Sequence, residues 1–142
     1  MILIVAGSRD WAHKRFVWMV LNTVYVKHGE FTLYHGDCHI KGVPAGADAH
    51  AQEWAETNPH VTVERFPVKR HEWDAFGPSA GPRRNRRMVE AAYRAAGTGQ
   101  IFGHAFQRND SSGTQNTVDL MDSFSIPNRV WTHEEAGRFG KR

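Results

Sequence analysis

The sequence predicts an α/β protein, a Rossmann-like three-layer sandwich built on a five-stranded, mostly parallel sheet. The first observation is the order of the apolar patterns, in which strand-like runs alternate with helix-like stretches along almost the whole chain. The second is the continuous aliphatic run at residues 2–6, which is typical of a strand buried on both faces. Strands that alternate with helices form parallel βαβ units, because each helix returns the chain to the start of the next strand.

Five strands and four helices follow from these patterns. The strands are predicted at residues 2–6, 31–35, 61–66, 100–104 and 129–131. The helices are predicted at residues 12–28, 48–57, 83–96 and 114–124, which carry apolar side chains at helical spacing. Residues 67–82 contain three prolines and two glycines, so we expect a long irregular loop there. One domain is expected over residues 1–136, followed by a disordered tail at residues 137–142.

Length and composition exclude several classes of protein. With 142 residues, of which 40% are hydrophobic and 23% charged, the chain is long enough for one ordinary core and short for two. No apolar run approaches the ~20 residues that cross a bilayer, and residues 1–6 lack the basic start of a signal peptide, so we expect a cytoplasmic protein. The single cysteine, Cys38, excludes an internal disulfide framework, and no metal or other cofactor is expected.

The net charge of +3 is concentrated in one short segment, which contains Arg83, Arg84, Arg86 and Arg87. Such a compact cluster suits a small anionic ligand better than a long nucleic acid, because a guanidinium group pairs with phosphate oxygens through two parallel hydrogen bonds. The cluster also lies at the predicted start of a helix, where the helix dipole is positive and an anion would relieve the repulsion. The segment therefore predicts an anion-binding site.

Four segments that follow the predicted strands hold residues suited to such a ligand. Doubly wound sheets bind ligands beyond the carboxyl ends of their strands, where these segments converge. Glycines let backbone amides approach a ligand, and a helix N-terminus attracts negative charge. The alternatives left open are a turn in which Asp10 caps a helix, a second helix capped by Asp48, and an ordinary N-cap within residues 110–114. The candidate ligand-binding residues are Gly7, Ser8, Arg9, Asp10, His35, Gly36, Gly46, Ala47, Asp48, Arg83, Arg84, Asn85, Arg87, Ser112, Gly113 and Thr114.

These motifs resemble the YspA-type branch of the SLOG superfamily, Rossmann-like proteins related to the LOG phosphoribohydrolases. The resemblance rests on GSRD after the first predicted strand, on HGDC and PAGAD after the second, and on AGPRRNRRM at the third predicted helix. It covers residues 1–131. It implies a site for a nucleotide or nucleotide derivative at the carboxyl ends of the strands, often in a homodimer.

The resemblance to the LOG enzymes is partial at the residues that carry out hydrolysis. Arg84 resembles their catalytic arginine, and Gly113 and Thr114 match part of their phosphate-holding turn. Thr117 stands where their catalytic glutamate would be. Cleavage of an N-glycosidic bond requires a carboxylate, which would have to come from elsewhere in this chain. The candidates are Asp10, Asp37 and Asp48.

The leading hypothesis is a binding module or sensor for a phosphorylated nucleotide or nucleotide derivative. Arg84 and Arg87 would hold the phosphate, and Asn85 or Asp48 would contact the sugar. A small molecule and a second copy of the chain are the expected partners, with nucleic acid less favoured and no membrane expected.

Two alternatives remain open. The first is an enzyme, a nucleotide N-glycoside hydrolase, in which Arg84 would stabilise charge and Asp48 or Asp10 would supply the carboxylate. The second is a protein that binds single-stranded nucleic acid, with Trp11 and Trp73 as stacking platforms for bases.

Overall fold

The computed structural model describes residues 1–139. Within these residues the strands are β1 (Ile2–Gly7), β2 (Thr32–His35), β3 (His39–Ile40), β4 (Val43–Pro44), β5 (Thr62–Arg65), β6 (Ile101–Gln107) and β7 (Asn128–Thr132). The helices are α1 (Lys14–His28), α2 (Gly46–Glu56), α3 (Arg70–Phe76), α4 (Ala80–Ala96), α5 (Ser112–Ser123) and α6 (His133–Gly137). A short 3-10 turn at Gly77–Ser79 joins α3 to α4.

Five strands form one parallel sheet in the order β5-β2-β1-β6-β7, which confirms the predicted α/β class. The chain adds β2 and β5 on one side of β1, then crosses over and adds β6 and β7 on the other side. The strand order therefore reverses between β1 and β6. Such a reversal opens a crevice at the carboxyl ends of the two strands, where doubly wound sheets bind their ligands.

The central strand β1 is buried on both faces, as its continuous aliphatic run predicts. Leu3 and Val5 belong to the core that α1 and α2 cover, whereas Ile4 and Ala6 belong to the core beneath α4 and α5. Side chains alternate between the two faces because successive residues of a strand point in opposite directions. The helices thus form two outer layers around the sheet, which is the arrangement expected of a three-layer sandwich.

Residues 67–82 are not the irregular loop that their prolines and glycines predict. Residues 67–69 are irregular, but residues 70–82 form α3, the 3-10 turn and the first residues of α4. Pro78 lies in the first turn of the 3-10 segment and Pro82 in the first turn of α4, where a missing N–H leaves no hydrogen bond unmade. The side chain of Glu72 accepts a hydrogen bond from the backbone N–H of Lys69 at 3.1 Å and closes the start of α3. The prediction was wrong over residues 70–82 because it relied on the number of prolines and glycines and did not consider their positions in the first turns of two helical segments.

The end of the chain is partly described. Gly137 is the last residue of α6, Arg138 pairs with Glu134 at 2.6 Å, and the ring of Phe139 contacts Phe16 edge-on, with 5.8 Å between ring centres. The rest of the expected disordered tail, residues 140–142, lies outside the described residues. Within residues 1–139, no helix has the length and apolar character needed to cross a bilayer.

Two glycines allow α2 to pack closely on the end of β1. A Cβ atom on Gly7 would overlap the Cβ of Ala47, and a Cβ atom on Gly46 would overlap the carbonyl oxygen of Ser8. Gly46 also has φ +68°, a left-handed conformation that side chains with a Cβ rarely adopt. These glycines therefore serve the packing beneath the crevice.

We predict that Gly46→Ala lowers the free energy of unfolding by about 2–4 kcal/mol, because steric overlap adds to the strain of the left-handed backbone. Gly42 has φ +79° and no neighbour within 4 Å of an added Cβ, so Gly42→Ala is the matched control. It should cost about 1 kcal/mol, the backbone strain alone. Urea denaturation measures both values, and equal losses would show that close packing at Gly46 is unimportant.

We also predict a loss of stability in mild acid that depends on His104. Burial, with a smaller contribution from the charge of Arg129, lowers the pKa of this imidazole from 6.5 to about 4. Its Nδ1 accepts a hydrogen bond from the indole N–H of Trp131 at 3.0 Å, which requires that nitrogen to be unprotonated. The unfolded chain therefore binds a proton before the folded chain does, and stability present above pH 6.5 declines as the pH falls towards 4.

Urea titrations at several pH values between 6.5 and 5 test this prediction. The carboxylates with lowered pKa values, Glu72 and Glu135, change stability only at lower pH, whereas His133, whose pKa burial also lowers, adds a separate contribution within this window. The full contribution of His104 is about 2–3 kcal/mol. His104→Gln should flatten the decline, and His60→Gln, at an exposed histidine, controls for the loss of an imidazole. The same slope in His104→Gln and in the unaltered protein would contradict the assignment.

Candidate functional site

A cleft of about 810 Å³ lies over the carboxyl ends of β1 and β6, where the strand order reverses. Small-molecule pockets have volumes of roughly 300–1,000 Å³, so the cleft has room for one compact ligand. Its walls come from the segments after β1, β2 and β6 and from the start of α4. The candidate residues that line it are Gly7, Ser8, Arg9, Asp10, Gly36, Asp48, Arg84, Asn85, Ser112, Gly113 and Thr114.

Three candidate residues do not line the cleft. They are His35, the last residue of β2, and Gly46 and Ala47, the first two residues of α2. His35 is fully buried, and its Nε2 lies 2.7 Å from the side-chain oxygen of Gln52. Gly46 and Ala47 form the close contact between α2 and the end of β1. All three thus lie outside the lining of the cleft.

The clustered arginines do not share one anion, because three of them stack on an aromatic ring or pair with a glutamate outside the cleft. Helix α4 begins at Ala80, three residues before the predicted start, so the arginines are also displaced from its positive end. The guanidinium of Arg83 stacks 4.1 Å from the centre of the Phe76 ring. The ion pairs are Arg86–Glu90 at 3.6 Å and Arg87–Glu72 at 2.7 Å. Arg83 and Arg87 thus lie outside the cleft, and the dipole argument for one shared anion was wrong.

Arg84 is the member of the cluster that lines the cleft, and its side chain is buried, with 6% exposed. Its Nη1 donates to the carbonyl oxygens of Gly36 and Phe66, the latter at 3.1 Å, and its Nε donates to the side-chain oxygen of Asn85 at 2.8 Å. All of these acceptors are neutral. Within residues 1–139, no carboxylate lies within 4.0 Å of the guanidinium.

The remaining terminal nitrogen of Arg84, Nη2, contacts the Sγ atom of Cys38 at 3.9 Å, a weak interaction at most. A buried cation without an opposite charge is costly, because hydrogen bonds to neutral groups replace only part of its hydration. This nitrogen is therefore available for a polar or anionic group of a ligand.

Asp48 lines the same part of the cleft and is also buried, with 3% exposed. It lies in the first turn of α2, whose N-cap is Ala45, so the capping alternative for Asp48 is wrong. Its Oδ2 accepts a hydrogen bond from the backbone N–H of Cys38 at 3.3 Å, whereas its Oδ1 has no partner within residues 1–139. A Cβ on Gly36 would lie 3.0 Å from the Cζ of Arg84 and 3.2 Å from the Oδ2 of Asp48. The carboxylate and the guanidinium therefore flank Gly36.

Cys38 also lines the cleft, and burial raises the pKa of its thiol to about 12. The negative charge of Asp48 adds to this effect, and the positive charge of Arg84 opposes it. The thiol is therefore protonated and unreactive at neutral pH. Within the part of the chain that the structure describes, no group of three or more His, Cys, Asp or Glu side chains could hold a metal ion.

The N-terminus of α5 opens onto the cleft opposite these buried charges. The side chain of its N-cap, Ser111, accepts no hydrogen bond from a backbone N–H of the helix, although its hydroxyl accepts one from the hydroxyl of Thr114 at 3.3 Å. Within residues 1–139, the backbone N–H groups of Ser112, Gly113 and Thr114 have no hydrogen-bond partner. The free N–H groups of a first helical turn carry a partial positive charge and bind anions. The ordinary N-cap that the sequence left open is therefore not formed.

Ser8 links the loop after β1 to this helix end. Its hydroxyl lies 3.4 Å from the hydroxyl of Thr114 and accepts a hydrogen bond from the backbone N–H of Arg108 at 2.9 Å. Asp10 does not cap α1, which begins at Lys14. Its carboxylate instead lies 3.8 Å from the guanidinium of Arg108 at the rim of the cleft.

Arg108 lines the cleft and is absent from the predicted site. The predicted strand ended at residue 104, whereas β6 continues to Gln107, so the residues after it were not recognised as a loop at the carboxyl edge. A longer strand prediction would have identified Arg108.

The two tryptophans proposed as stacking platforms lie in different environments. Trp73 lines the cleft and is 38% exposed, whereas Trp11 is 2% exposed and packs on Phe106.

The cleft has further lining residues that were not among the sequence candidates. Thr117, at the position of the LOG glutamate, is 3% exposed, and its hydroxyl lies 3.4 Å from the carbonyl oxygen of Gly113. It supplies no carboxylate. The other lining residues are Val5, Ala6, Pro78, Gly81, Pro82, Met88, Asn109, Ser111 and Asn116.

Comparison with known proteins identifies a family. The model of the YspA, cpYpsA-related SLOG family matches residues 1–73, which include β1, β2, α2 and β5 and slightly more than half of the chain. No curated protein and no solved structure matches the chain. The matched part contributes Ser8, Gly36 and Asp48 to the cleft. It ends before Arg84 and α5.

We predict that Asp48→Asn increases the rate at which a thiol reagent labels Cys38 at pH 8 by about three- to tenfold, because removal of a nearby negative charge lowers the pKa of the thiol. Labelling stays slow relative to a free cysteine, since burial is the larger cause of the raised pKa. Asp37→Asn, at a residue outside the cleft, is the matched control. Unchanged labelling in Asp48→Asn would show that Asp48 does not act on this thiol.

Proposed function

Because the chain belongs to the YspA, cpYpsA-related SLOG family, whose members have nucleotide-related roles, we propose that it binds a phosphorylated nucleoside or nucleotide derivative as a binding module or sensor. The ligand occupies the cleft at the carboxyl ends of β1 and β6.

The proposal rests on two features that line the same cleft, namely an open helix N-terminus and a buried guanidinium that has no carboxylate partner within residues 1–139. The amides of residues 112–114 supply the first and Arg84 supplies the second. Three arginines and two aspartates line the cleft, and one aspartate, Asp10, is paired with Arg108. The cleft thus has a positive excess that favours an anion.

The phosphate lies at the first turn of α5, where backbone amides point at the ligand without the loss of rotamer freedom that a long side chain would suffer. The hydroxyls of Ser8 and Thr114 adjoin these amides, and the exposed side chain of Arg9 adds a positive charge to the lining of the cleft. Arg84 adds attraction from the floor of the cleft.

The base lies towards the wall formed by Trp73, Pro78 and Pro82. Trp73 is partly exposed and presents an aromatic surface to the cleft, and bases stack on such surfaces regardless of their identity. This arrangement supports a compact ligand more than a nucleic-acid strand. Trp11 is buried, and three of the four clustered arginines lie outside the cleft, where they stack on an aromatic ring or pair with a glutamate.

One observation favours hydrolysis as a second candidate function, namely that Asp48 places a buried carboxylate on the floor of the cleft. The other carboxylates that the sequence suggested are less suitable, since Asp10 is exposed and paired and Asp37 lies outside the cleft. Incubation with nucleoside 5′-monophosphates followed by chromatography separates the two functions, because a hydrolase releases free base and a binding module leaves the nucleotide intact.

We predict that a nucleoside 5′-monophosphate binds at least about tenfold more tightly than the matching nucleoside, because the phosphate makes charge-assisted hydrogen bonds that the nucleoside cannot make. Arg84→Gln should weaken nucleotide binding by about 10- to 100-fold. Arg86→Gln is the matched control, since Arg86 lies on the same helix, pairs with Glu90 and does not line the cleft. Isothermal titration calorimetry at low salt measures the affinities.

A second variant covers the possibility that Arg84→Gln fails to fold. Ser112→Pro removes one amide N–H at the first position of α5, where proline is tolerated. It should weaken nucleotide binding by about two- to tenfold and leave the urea midpoint nearly unchanged. Equal affinity in both cleft variants and the unaltered protein would contradict the proposed site. A steep salt dependence with oligonucleotides, and no binding of mononucleotides, would instead support the nucleic-acid alternative.

A further inference from the structure

Asp48 and Arg84 form a corner of the cleft in which each charged group has unused hydrogen-bonding capacity. The Oδ1 atom of Asp48 has no hydrogen-bond partner within residues 1–139, and the Nη2 atom of Arg84 contacts the Cys38 sulfur at 3.9 Å. The two side chains flank Gly36, which has no side chain to fill the space between them. They form no ion pair within 4.0 Å.

The charges of this corner restrict what can bind there. A phosphate close to Arg84 would also lie close to the buried carboxylate of Asp48, and like charges repel strongly where water is excluded. A cationic group would be repelled by Arg84 in the same way. A hydroxyl group fits both partners, because its oxygen accepts a hydrogen bond from the guanidinium while its hydrogen is donated to the carboxylate.

From this pairing, and resting on the nucleotide site proposed above, we propose that the Asp48–Arg84 corner holds a sugar hydroxyl and makes the site selective for ribose over deoxyribose. The phosphate then lies at the N-terminus of α5, on the other side of the cleft. A nucleoside 5′-phosphate carries its phosphate and its 2′ and 3′ hydroxyls at different ends of the sugar, so one ligand reaches both places.

The selectivity follows from the cost of leaving the corner unfilled. A deoxy sugar offers no hydroxyl to Asp48 or Arg84, so within residues 1–139 their unused atoms stay unsatisfied, whereas a ribose hydroxyl gives both a partner. Sites built to hydrogen-bond a hydroxyl reject the analogue that lacks it for this reason. Asp48 is thus a specificity-determining residue, in addition to its contact with the backbone N–H of Cys38.

The test compares a ribonucleoside 5′-monophosphate with its 2′-deoxy and 3′-deoxy analogues by calorimetric titration of the full chain. Adenosine, guanosine, cytidine and uridine monophosphates are screened first, and the tightest binder supplies the series. We expect at least one deoxy analogue to bind about tenfold more weakly than the ribonucleotide. In Asp48→Asn the difference should fall below about threefold, because the acceptor loses its charge. Asp37→Asn, outside the cleft, should keep the full difference.

The outcomes separate this inference from the function on which it rests. If the ribonucleotide and both deoxy analogues bind the unaltered protein equally well, the hydroxyl corner is refuted and the nucleotide site stands. If no nucleotide binds, both are refuted. A ribose preference that persists undiminished in folded Asp48→Asn would also overturn the role of Asp48. The comparison of analogues in the unaltered protein decides the matter even if Asp48→Asn does not fold.

Discussion

The guanidinium of Arg84 connects three parts of the protein that are far apart in the sequence. It donates to the carbonyl oxygens of Gly36 and Phe66, which follow β2 and β5, and to the side chain of Asn85. Asn85 in turn donates to Asn116 of α5 at 3.0 Å. The ends of two strands and two helices are thereby held around the cleft. Because the acceptors of Arg84 are neutral, the same side chain that fixes this geometry keeps its positive charge for a ligand.

This double use of one side chain explains the arrangement of charges on the floor of the cleft. A buried charge normally acquires an opposite charge within the protein, as Arg87 does with Glu72 at a more exposed position. On the floor of the cleft, Arg84 and Asp48 are instead separated by Gly36, and each retains an unused atom. The cleft thereby gains two fixed polar groups for recognition. Functional sites commonly show such local conflicts with the rules of stability.

The sequence predicts the sheet and its layers well, because those depend on local periodicity. The continuous apolar run of β1 and the helical spacing in α1 are visible without any tertiary information. Residues 67–82 were predicted wrongly, since Pro78 and Pro82 stand in first turns where proline is tolerated. The predicted strand at β6 ended at residue 104, three residues too early, so Arg108 was not recognised as part of the loop at the carboxyl edge of the sheet.

The candidate site was predicted in outline but not in its electrostatics. The rule that ligands bind at the carboxyl edge of the sheet identified Ser8, Arg84 and Asp48 as neighbours, although they are distant in the sequence. It could not show that Glu72, fifteen residues away, pairs with Arg87. Partners of that kind are set by tertiary packing and leave no local pattern. The cytoplasmic location and the homodimer remain predictions.

The proposed function requires that the phosphate of a nucleotide bind at the first turn of α5. Because the amides are the proposed donors, titration of ¹⁵N-labelled protein with a nucleoside 5′-monophosphate, followed by two-dimensional amide NMR, observes them one by one. We expect large, saturable shifts for the amides of Ser112, Gly113 and Thr114. Shifts confined to the surface around Lys69 and Arg87, with these three amides unmoved, would contradict the proposed function.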